Sequence, residues 1–390
     1  MVYVISRCDT LLVLNPFGHS SNSAIFARRM KAFKSYSWKV LGILLVLYSI
    51  FVGTTTKVGP GVVGISPSEV TINSDFEITV ETYNTSYGEL SNSAYAWLKI
   101  RDSLVLAKEV SVLAPQRLKL TFDGIPLQVD TTNVGSSTLV LEDEYHGMYL
   151  GVDVLRTRIV GDSSNTLTSI PAPEVRPQRL EQQFFSFPYR YILYETIRNL
   201  NFHVPMWFTM MTILMISFVY SIRYLNSEDK RFDVKANAFA KVGLMFGLMG
   251  IFTGMFWANY TWGTPWTSDP KLNGAAVAVL MYIAYQILRR SIDDEDKIAR
   301  ISAVYNVLAY PIFIVLIIVL PKMAEFSLHP GSGDSVGFNT YDLNNNLRMI
   351  FYPSVLGWIL IGIWIGQLTS RVDLISFKRL WKDIEKSHLA

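Results

Sequence analysis

The sequence predicts an α-helical polytopic membrane protein with six transmembrane helices, interrupted by an inserted all-β, immunoglobulin-like sandwich. Three observations predict it. Half of the 390 residues are apolar and only 17% are charged, with a mean hydropathy of +0.26. The apolar residues concentrate in five uncharged stretches, Val204–Ile222, Val242–Tyr260, Leu272–Leu288, Ile301–Pro321 and Met349–Ser370, each near the ~20 residues that cross a bilayer core. A sixth, Val40–Gly53, is completed by Thr54–Thr56 and preceding aromatic residues, and the block that follows it has the texture of strands.

Residues 1–37 read as a cytoplasmic N-terminal segment. It holds the only cysteine, Cys8, which excludes a disulfide framework and a thiol metal cluster. From Met30, MKAFKSYSWK has the basic character that opens a signal-anchor helix, so Met1 and Met30 both stand as start sites. The first helix, 38–56, lacks a small-residue cleavage site and reads as a retained anchor. Residues 57–163 form the expected sandwich. Val62–Asn73, Phe76–Asn84, Ala94–Arg101, Val105–Leu113, Arg117–Phe122, Thr138–Glu142 and Met148–Ile159 are β-branched and partly alternating, with turn formers between them. Seven short strands fit an immunoglobulin-like domain. No nucleophile, base and orienting group stand together in it. Its histidine, His146, lies among Glu142, Asp143 and Glu144: a solvated turn, a weak metal site or a partner contact. Residues 164–202 are a linker with Pro171, Pro173 and Pro177, read as a semi-rigid spacer, followed by an interfacial amphipathic helix over Tyr189–Asn201. Residues 203–370 hold the other five helices, and 371–390 a cytoplasmic tail.

Charge placement orients the spans. Lys and Arg cluster before the first span (Arg28, Arg29, Lys31, Lys34, Lys39) and after the second (Arg223, Lys230, Arg231, Lys235). They cluster again after the fourth (Arg289, Arg290, Lys297, Arg300) and sixth (Arg371, Lys378, Arg379, Lys382), whereas the alternate loops carry few. By the positive-inside rule both termini are cytoplasmic. Pairs of glycines four apart, Gly243/Gly247, Gly250/Gly254 and Gly362/Gly366, allow close helix approach and a compact bundle. Pro311 and Pro353 are expected to kink their helices, with neighbours satisfying the freed carbonyls. Apart from the marginal Lys241 the spans hold almost no charge, which argues against a proton or ion path.

Three motifs then fall on the outer side: NFHVP at Asn201–Pro205, the loop WGTPWTSDPKL at Trp262–Leu272 and SLHP at Ser327–Pro330. Histidine occurs five times. His203 and His329 lie at the outer mouths of spans, where Pro205 suits the first turn of a helix. Neutral imidazole is a good haem-iron ligand, and two on opposite faces make a six-coordinate b-type haem; a solvated interfacial histidine is the alternative for each. Trp257 and Tyr260 fit either an aromatic belt or the wall of a site. The compact W-G-x-x-W run with Asp269 offers the aromatic surface and polar groups that a flat porphyrin needs. Arg348, near the outer end of the last span, suits a propionate partner or an interfacial anchor.

With these residues the chain resembles the CcmC family, the haem-handling proteins of system I cytochrome c maturation, within the wider CcmC/CcsA group that shares a tryptophan-rich WWD loop. The resemblance covers the first span and about Tyr189–Ser370. It rests on His203–Pro205, Trp262–Asp269 and Leu328–Pro330. It implies a haem chaperone or transfer component rather than an enzyme. His203 and His329 would be the axial ligands of a transient, non-covalent haem b, and Trp262, Gly263, Trp266 and Asp269 would belong to the haem-presenting loop. It further implies residence in the bacterial inner membrane and transfer of haem to the periplasmic chaperone CcmE. The implied helpers are the ABC-type complex of CcmA and CcmB and the small subunit CcmD. The chain has no ATP-binding motif, so ATP hydrolysis falls to a partner. Two departures stand out: Pro265 and Ser268 occupy places where the family loop usually has tryptophan, and the family supplies no role for the sandwich. A system II haem exporter or synthetase component, to which Asp269-Pro270-Lys271 is similar, usually has more spans. A membrane b-type cytochrome redox subunit would favour ligands within the spans, and an adhesion receptor would leave the tryptophan loop unexplained.

Overall fold

The computed structural model describes residues 20–72, 74–91, 93–100, 103–124, 135–158, 175–191, 193–324, 327–329 and 343–389. Cys8, Pro171, Pro173, Pro330 and the glycine-rich run after it lie outside these residues. Among the described residues six helices are long and apolar enough to cross a membrane, over Tyr36–Thr55, Tyr194–Ser227, Lys230–Trp262, Pro270–Arg290, Glu295–Met323 and Asn345–Arg379. The corresponding elements are α1 (Ser20–Thr55), α2 (Leu200–Ser227), α3 (Lys230–Trp262), α4 (Pro270–Arg290), α5 (Glu295–Ile314), α6 (Leu320–Met323) and α7 (Asn345–Leu389). A π turn over Val315–Val319 joins α5 to α6.

Between α1 and α2 the described residues form nine strands: β1 (Gly61–Ser66), β2 (Glu69–Thr71), β3 (Phe76–Tyr83), β4 (Tyr95–Ile100), β5 (Ser103–Leu106), β6 (Glu109–Ala114), β7 (Arg117–Phe122), β8 (Gly135–Asp143) and β9 (Gly147–Arg158). They form two sheets, ordered β1-β3-β7-β6 and β2-β9-β8-β4-β5. Lettered A, A′, B, C, C′, D, E, F and G along the chain, the sheets read A-B-E-D and A′-G-F-C-C′, the strand order of immunoglobulin-type sandwiches. Two of the seven expected runs are each split in two. Pro67 cannot donate to a ladder, so β1 pairs with β3 in one sheet while β2 runs parallel to β9 in the other. Ala107 and Lys108 break Val105–Leu113 where the chain crosses from β5 in one sheet to β6 in the other. The strands alternate as half-buried strands do: Leu118, Leu120 and Phe122 enter the core while Arg117 and Lys119 pair outside with Glu81 at 2.6 Å and Glu77 at 2.8 Å.

His146 is not in a solvated turn. It is 1% exposed. Asp143 accepts from the backbone N–H of Tyr145 and His146, both at 2.9 Å, and lies 2.9 Å from His146 Nδ1. Nε2 accepts the Ser86 N–H at 3.1 Å, so the ring is neutral and carries its proton on Nδ1. Burial pushes the Asp143 carboxyl up, but the hydrogen bonds from His146 and Tyr145 outweigh it and hold the group below its ordinary value. A carboxyl held low binds fewer protons folded than unfolded. Its stabilisation is therefore full above the ordinary value and is lost as pH falls through the depressed one. Removing the ring takes a hydrogen bond from a buried carboxylate that keeps its two backbone donors and leaves the Ser86 N–H without its acceptor, so His146→Ala is expected to destabilise the domain by about 1–3 kcal/mol. Thermal unfolding of the full-length protein, followed by proteolytic accessibility of the sandwich, checks this.

The sandwich is fixed to the bundle at its neck. Glu142 accepts the backbone N–H of Gln178 and Leu180, both at 2.8 Å, and the buried Trp97 donates to the Val175 carbonyl at 2.8 Å. The end of the linker is thus strapped to the domain. The chain leaving α1 then pairs with the chain entering α2: Gly59 N–H donates to Phe187 O at 2.7 Å and Phe187 N–H to Lys57 O at 2.9 Å. Arg198 donates to the carbonyls of Gly53, Thr54 and Thr56, capping α1 as a cation does at a helix C-terminus. Val58, Phe187, Ile197, Leu347, Ile350 and Phe351 fill the joint.

Glycines set the helix register. A methyl added at Gly243, Gly247, Gly250 or Gly254 of α3 would lie 2.5, 2.6, 2.8 or 2.8 Å from Leu214, Met210, Trp207 or His203 of α2. The notches continue along α3 and each receives one α2 side chain, with His203 in the last. Gly362 and Gly366 of α7 likewise face Thr209 and Phe239. Pro205 lies inside α2 rather than in its first turn, because the helix begins at Leu200. The Asn201 carbonyl that it frees accepts the Ser354 hydroxyl at 2.6 Å, and the Met349 carbonyl freed by Pro353 accepts the Tyr48 hydroxyl at 3.3 Å. Toward the opposite end of the bundle, Arg289 pairs with Asp233 at 2.6 Å and Lys241 with Asp373 at 3.0 Å.

Candidate functional site

With six antiparallel crossings, the start of α2, the α3–α4 loop, the segment after α6 and the start of α7 all meet at the end of the bundle that carries the sandwich. His203 and His329 are both there. His203 occupies the last glycine notch of α3, where its Nδ1 lies 3.1 Å from Thr253 Oγ1. The Thr253 hydroxyl donates to the Met249 carbonyl at 2.9 Å, which leaves its oxygen to accept. His203 therefore donates from Nδ1, and Nε2 is the nitrogen left for a ligand.

His329 is held by the end of the tryptophan loop. Asp269, 4% exposed, uses both carboxylate oxygens. Oδ2 accepts the Ser327 hydroxyl and the Leu328 N–H, each at 2.8 Å. Oδ1 accepts the Lys271 N–H at 2.9 Å, capping α4, and the Nδ1 proton of His329 at 3.1 Å. Burial raises the Asp269 carboxyl, but these donors and the neighbouring imidazole more than offset it and hold it low. Burial likewise pushes the His329 imidazolium down, against the pull of Asp269, so the ring is a neutral Nδ1–H tautomer at neutral pH. The protonated nitrogen again faces the protein and Nε2 is left over.

Aromatic rings wall the second histidine. The Trp262 ring stands edge-on to His329 with centroids 5.0 Å apart, Trp257 lies at 5.5 Å, and the two indoles meet at 4.8 Å. Thr253, which holds His203, and Trp257, which touches His329, are four residues apart on α3. The two imidazoles therefore contact the same face of α3, at residues whose backbone positions are about 6 Å apart along the axis. This arrangement fits an iron porphyrin: two neutral imidazoles with engaged Nδ1 atoms, indole walls and a glycine notch that admits one ring.

The other residues expected at the site take different places. Gly263 closes α3 at φ +75° and donates to Asn259 O at 3.0 Å, a left-handed helix stop that glycine adopts without strain. Among the described residues no ring contact joins Trp266 to either histidine, and its carbonyl accepts the Thr264 hydroxyl at 3.1 Å. Sequence reasoning missed Thr253 and Lys271. The Lys271 ammonium lies within electrostatic reach of both imidazoles. The signal for Asp269 as a structural residue was present in its Asp-Pro pair, a helix cap followed by proline in the first turn.

Fold and site together define a six-span membrane protein with a paired-imidazole site at the end of the bundle that bears an inserted β domain. The chain belongs to the CcmC family, described as heme exporter protein C, whose model matches residues 178–375. It is 29% identical over 195 residues to the heme exporter protein C of Rhodobacter capsulatus, covering 49% of this chain and 78% of that one. It is 31% identical over 109 residues to that of Bradyrhizobium diazoefficiens, covering 28% of this chain and 41% of the relative's length. A shorter similarity, 33% over 92 residues, joins it to the cytochrome c biogenesis protein CcsA of Pelargonium hortorum, covering 23% and 29% of the two chains. The matched family region begins beyond the sandwich.

Proposed function

We propose that this protein handles haem for cytochrome c biogenesis, holding a b-type haem at the outer face of the inner membrane and passing it to a periplasmic haem chaperone, CcmE. The observation that carries this reading is the pair of imidazoles on one face of α3, each with Nδ1 engaged, His203 by Thr253 and His329 by Asp269. His203 and His329 are the axial ligands. Trp262 covers His329 within the loop that also includes Gly263, Trp266 and Asp269. Lys271, within electrostatic reach of both imidazoles, and Arg348 are the candidate cations for a propionate. Bound there, haem supplies the iron and the flat apolar macrocycle, while the chain supplies two donors, an aromatic wall and an outward position. CcmA, CcmB and CcmD are the proposed partners in release, and membership of the family supports them.

Orientation follows from the basic clusters and is tested by labelling. Single cysteines at Asn273 and Ser332, in a Cys8→Ser background, are expected to react with an impermeant maleimide added outside intact cells, and those at Ser227 and Asp294 only after lysis. The reverse pattern would place the histidines in the cytoplasm and remove the delivery model.

A second test separates the sandwich from the haem site. Replacing Gly59–Ile159 by a short flexible linker is expected to leave haem occupancy largely intact, because both histidines and their supports lie beyond it, and to impair delivery. Trp262→Ala is expected to lower haem retention roughly five- to tenfold through lost ring contact, about 1 kcal/mol. Haem occupancy of equally inserted variants decides, and the assignment fails if the deletion empties the site while Trp262→Ala does not.

A further inference from the structure

The two imidazoles are not supported alike. Behind His329 Nδ1 stands Asp269, a carboxylate whose side chain is 1% exposed and which Ser327, Leu328 and Lys271 fix in place. Behind His203 Nδ1 stands the neutral Thr253 hydroxyl, whose own proton already goes to a backbone carbonyl. A hydrogen bond to an ionised acceptor is roughly twice as strong as one to a neutral acceptor. A carboxylate behind an imidazole also fixes its tautomer and orientation and raises its basicity as a ligand. Their anchorage differs too. His329 is tied through donors of its own turn to the cap of α4, whereas His203 is held by neutral groups of α3, the Thr253 hydroxyl and the Gly250 carbonyl, and by the wall at Gly254.

We propose that Asp269 and Thr253 are positioning residues that make the ligand pair unequal: His329 is the retained ligand and His203 the exchangeable one, the position that opens when haem is handed on. This rests on the axial-pair reading above. Handover requires that one iron–imidazole bond break before the acceptor's ligand can form. The chain sets which bond that is by placing a charge behind one ring and a hydroxyl behind the other. Ligand exchange of this kind moves no electrons, since a neutral Nε2 lone pair leaves and another neutral donor takes its place.

The test uses full-length protein loaded with haem, reduced, and exposed to carbon monoxide, which replaces one histidine. The Fe–C and C–O stretching frequencies in resonance Raman spectra report the ligand opposite the carbon monoxide. The wild type is expected to share its frequencies with His203→Gly and to differ from His329→Gly. Asp269→Asn, which keeps the helix cap but removes the charge, is expected to shift those frequencies and to weaken haem retention by ~10-fold or more. Thr253→Val is expected to leave them in place while speeding carbon monoxide entry. A residue that merely staples the loop would leave the Asp269→Asn frequencies where they were, and that result overturns the proposal. So does a wild type that matches His329→Gly, a comparison that stands even if Asp269→Asn does not insert. If neither glycine variant changes the haem spectrum, the axial-pair reading itself has failed, an outcome distinct from a reversed order of ligands.

Discussion

Replacing both His203 and His329 by alanine is expected to abolish the Soret absorbance of the purified protein, whereas each single change leaves a weaker, altered spectrum. Attachment to the protein is non-covalent on this reading because the chain has no C-x-x-C-H pair, so occupancy depends wholly on ligation and contact. If each iron–imidazole bond contributes more than about 3 kcal/mol, losing one costs ~100-fold or more in retention. Losing both leaves only the indole contacts around Trp257 and Trp262. Added imidazole is expected to restore the spectrum of the single variants, since the indole wall and the remaining histidine stay in place. A double variant that keeps wild-type haem content and spectrum would remove both histidines from the iron.

What the sequence made legible follows from the range of the interactions involved. The six spans were readable because a membrane span is a local property, an uncharged apolar run of sufficient length. The strands were readable by alternation, but the splits at Pro67 and at Ala107-Lys108 were not. They record which sheet each half joins, and that depends on partners such as Arg156 for Glu69 and Thr121 for Glu109. His146 looked solvated because its acidic neighbours are adjacent in sequence, while the groups that bury it, Ser86 and Tyr87, are about sixty residues away. The two ligand candidates could be named from their residue type and position in the topology. Their supports could not: Thr253 reads as one more polar residue inside a span, and Asp269 as the acidic end of a tryptophan loop. Only folding brings each to an Nδ1.

The glycine notches of α3 allow the proposed ligand His203 to be tested without changing its ring. Gly254→Ala places a methyl 2.8 Å from His203 Cε1, and Gly243→Ala places one 2.5 Å from Leu214 Cδ2. Both overpack the same helix pair, at a cost of about 1–3 kcal/mol each, and both add a residue that favours helix over glycine. They differ in what has to move. Leu214 has other rotamers and lies far from the site, so Gly243→Ala is expected to lower thermal stability while leaving haem affinity unchanged. The imidazole at Gly254 is a rigid ring whose Nδ1 is held by Thr253 at 3.1 Å. It can clear the methyl only by giving up that bond or by swinging Nε2 away from its position. Gly254→Ala is therefore expected to lower haem retention by ~10-fold or more, through the loss of support behind a ligand, with a stability change no greater than that of Gly243→Ala. Equal haem affinities in two folded variants would mean that the register of α2 against α3 does not position the ligand, and that His203 finds the iron by another path.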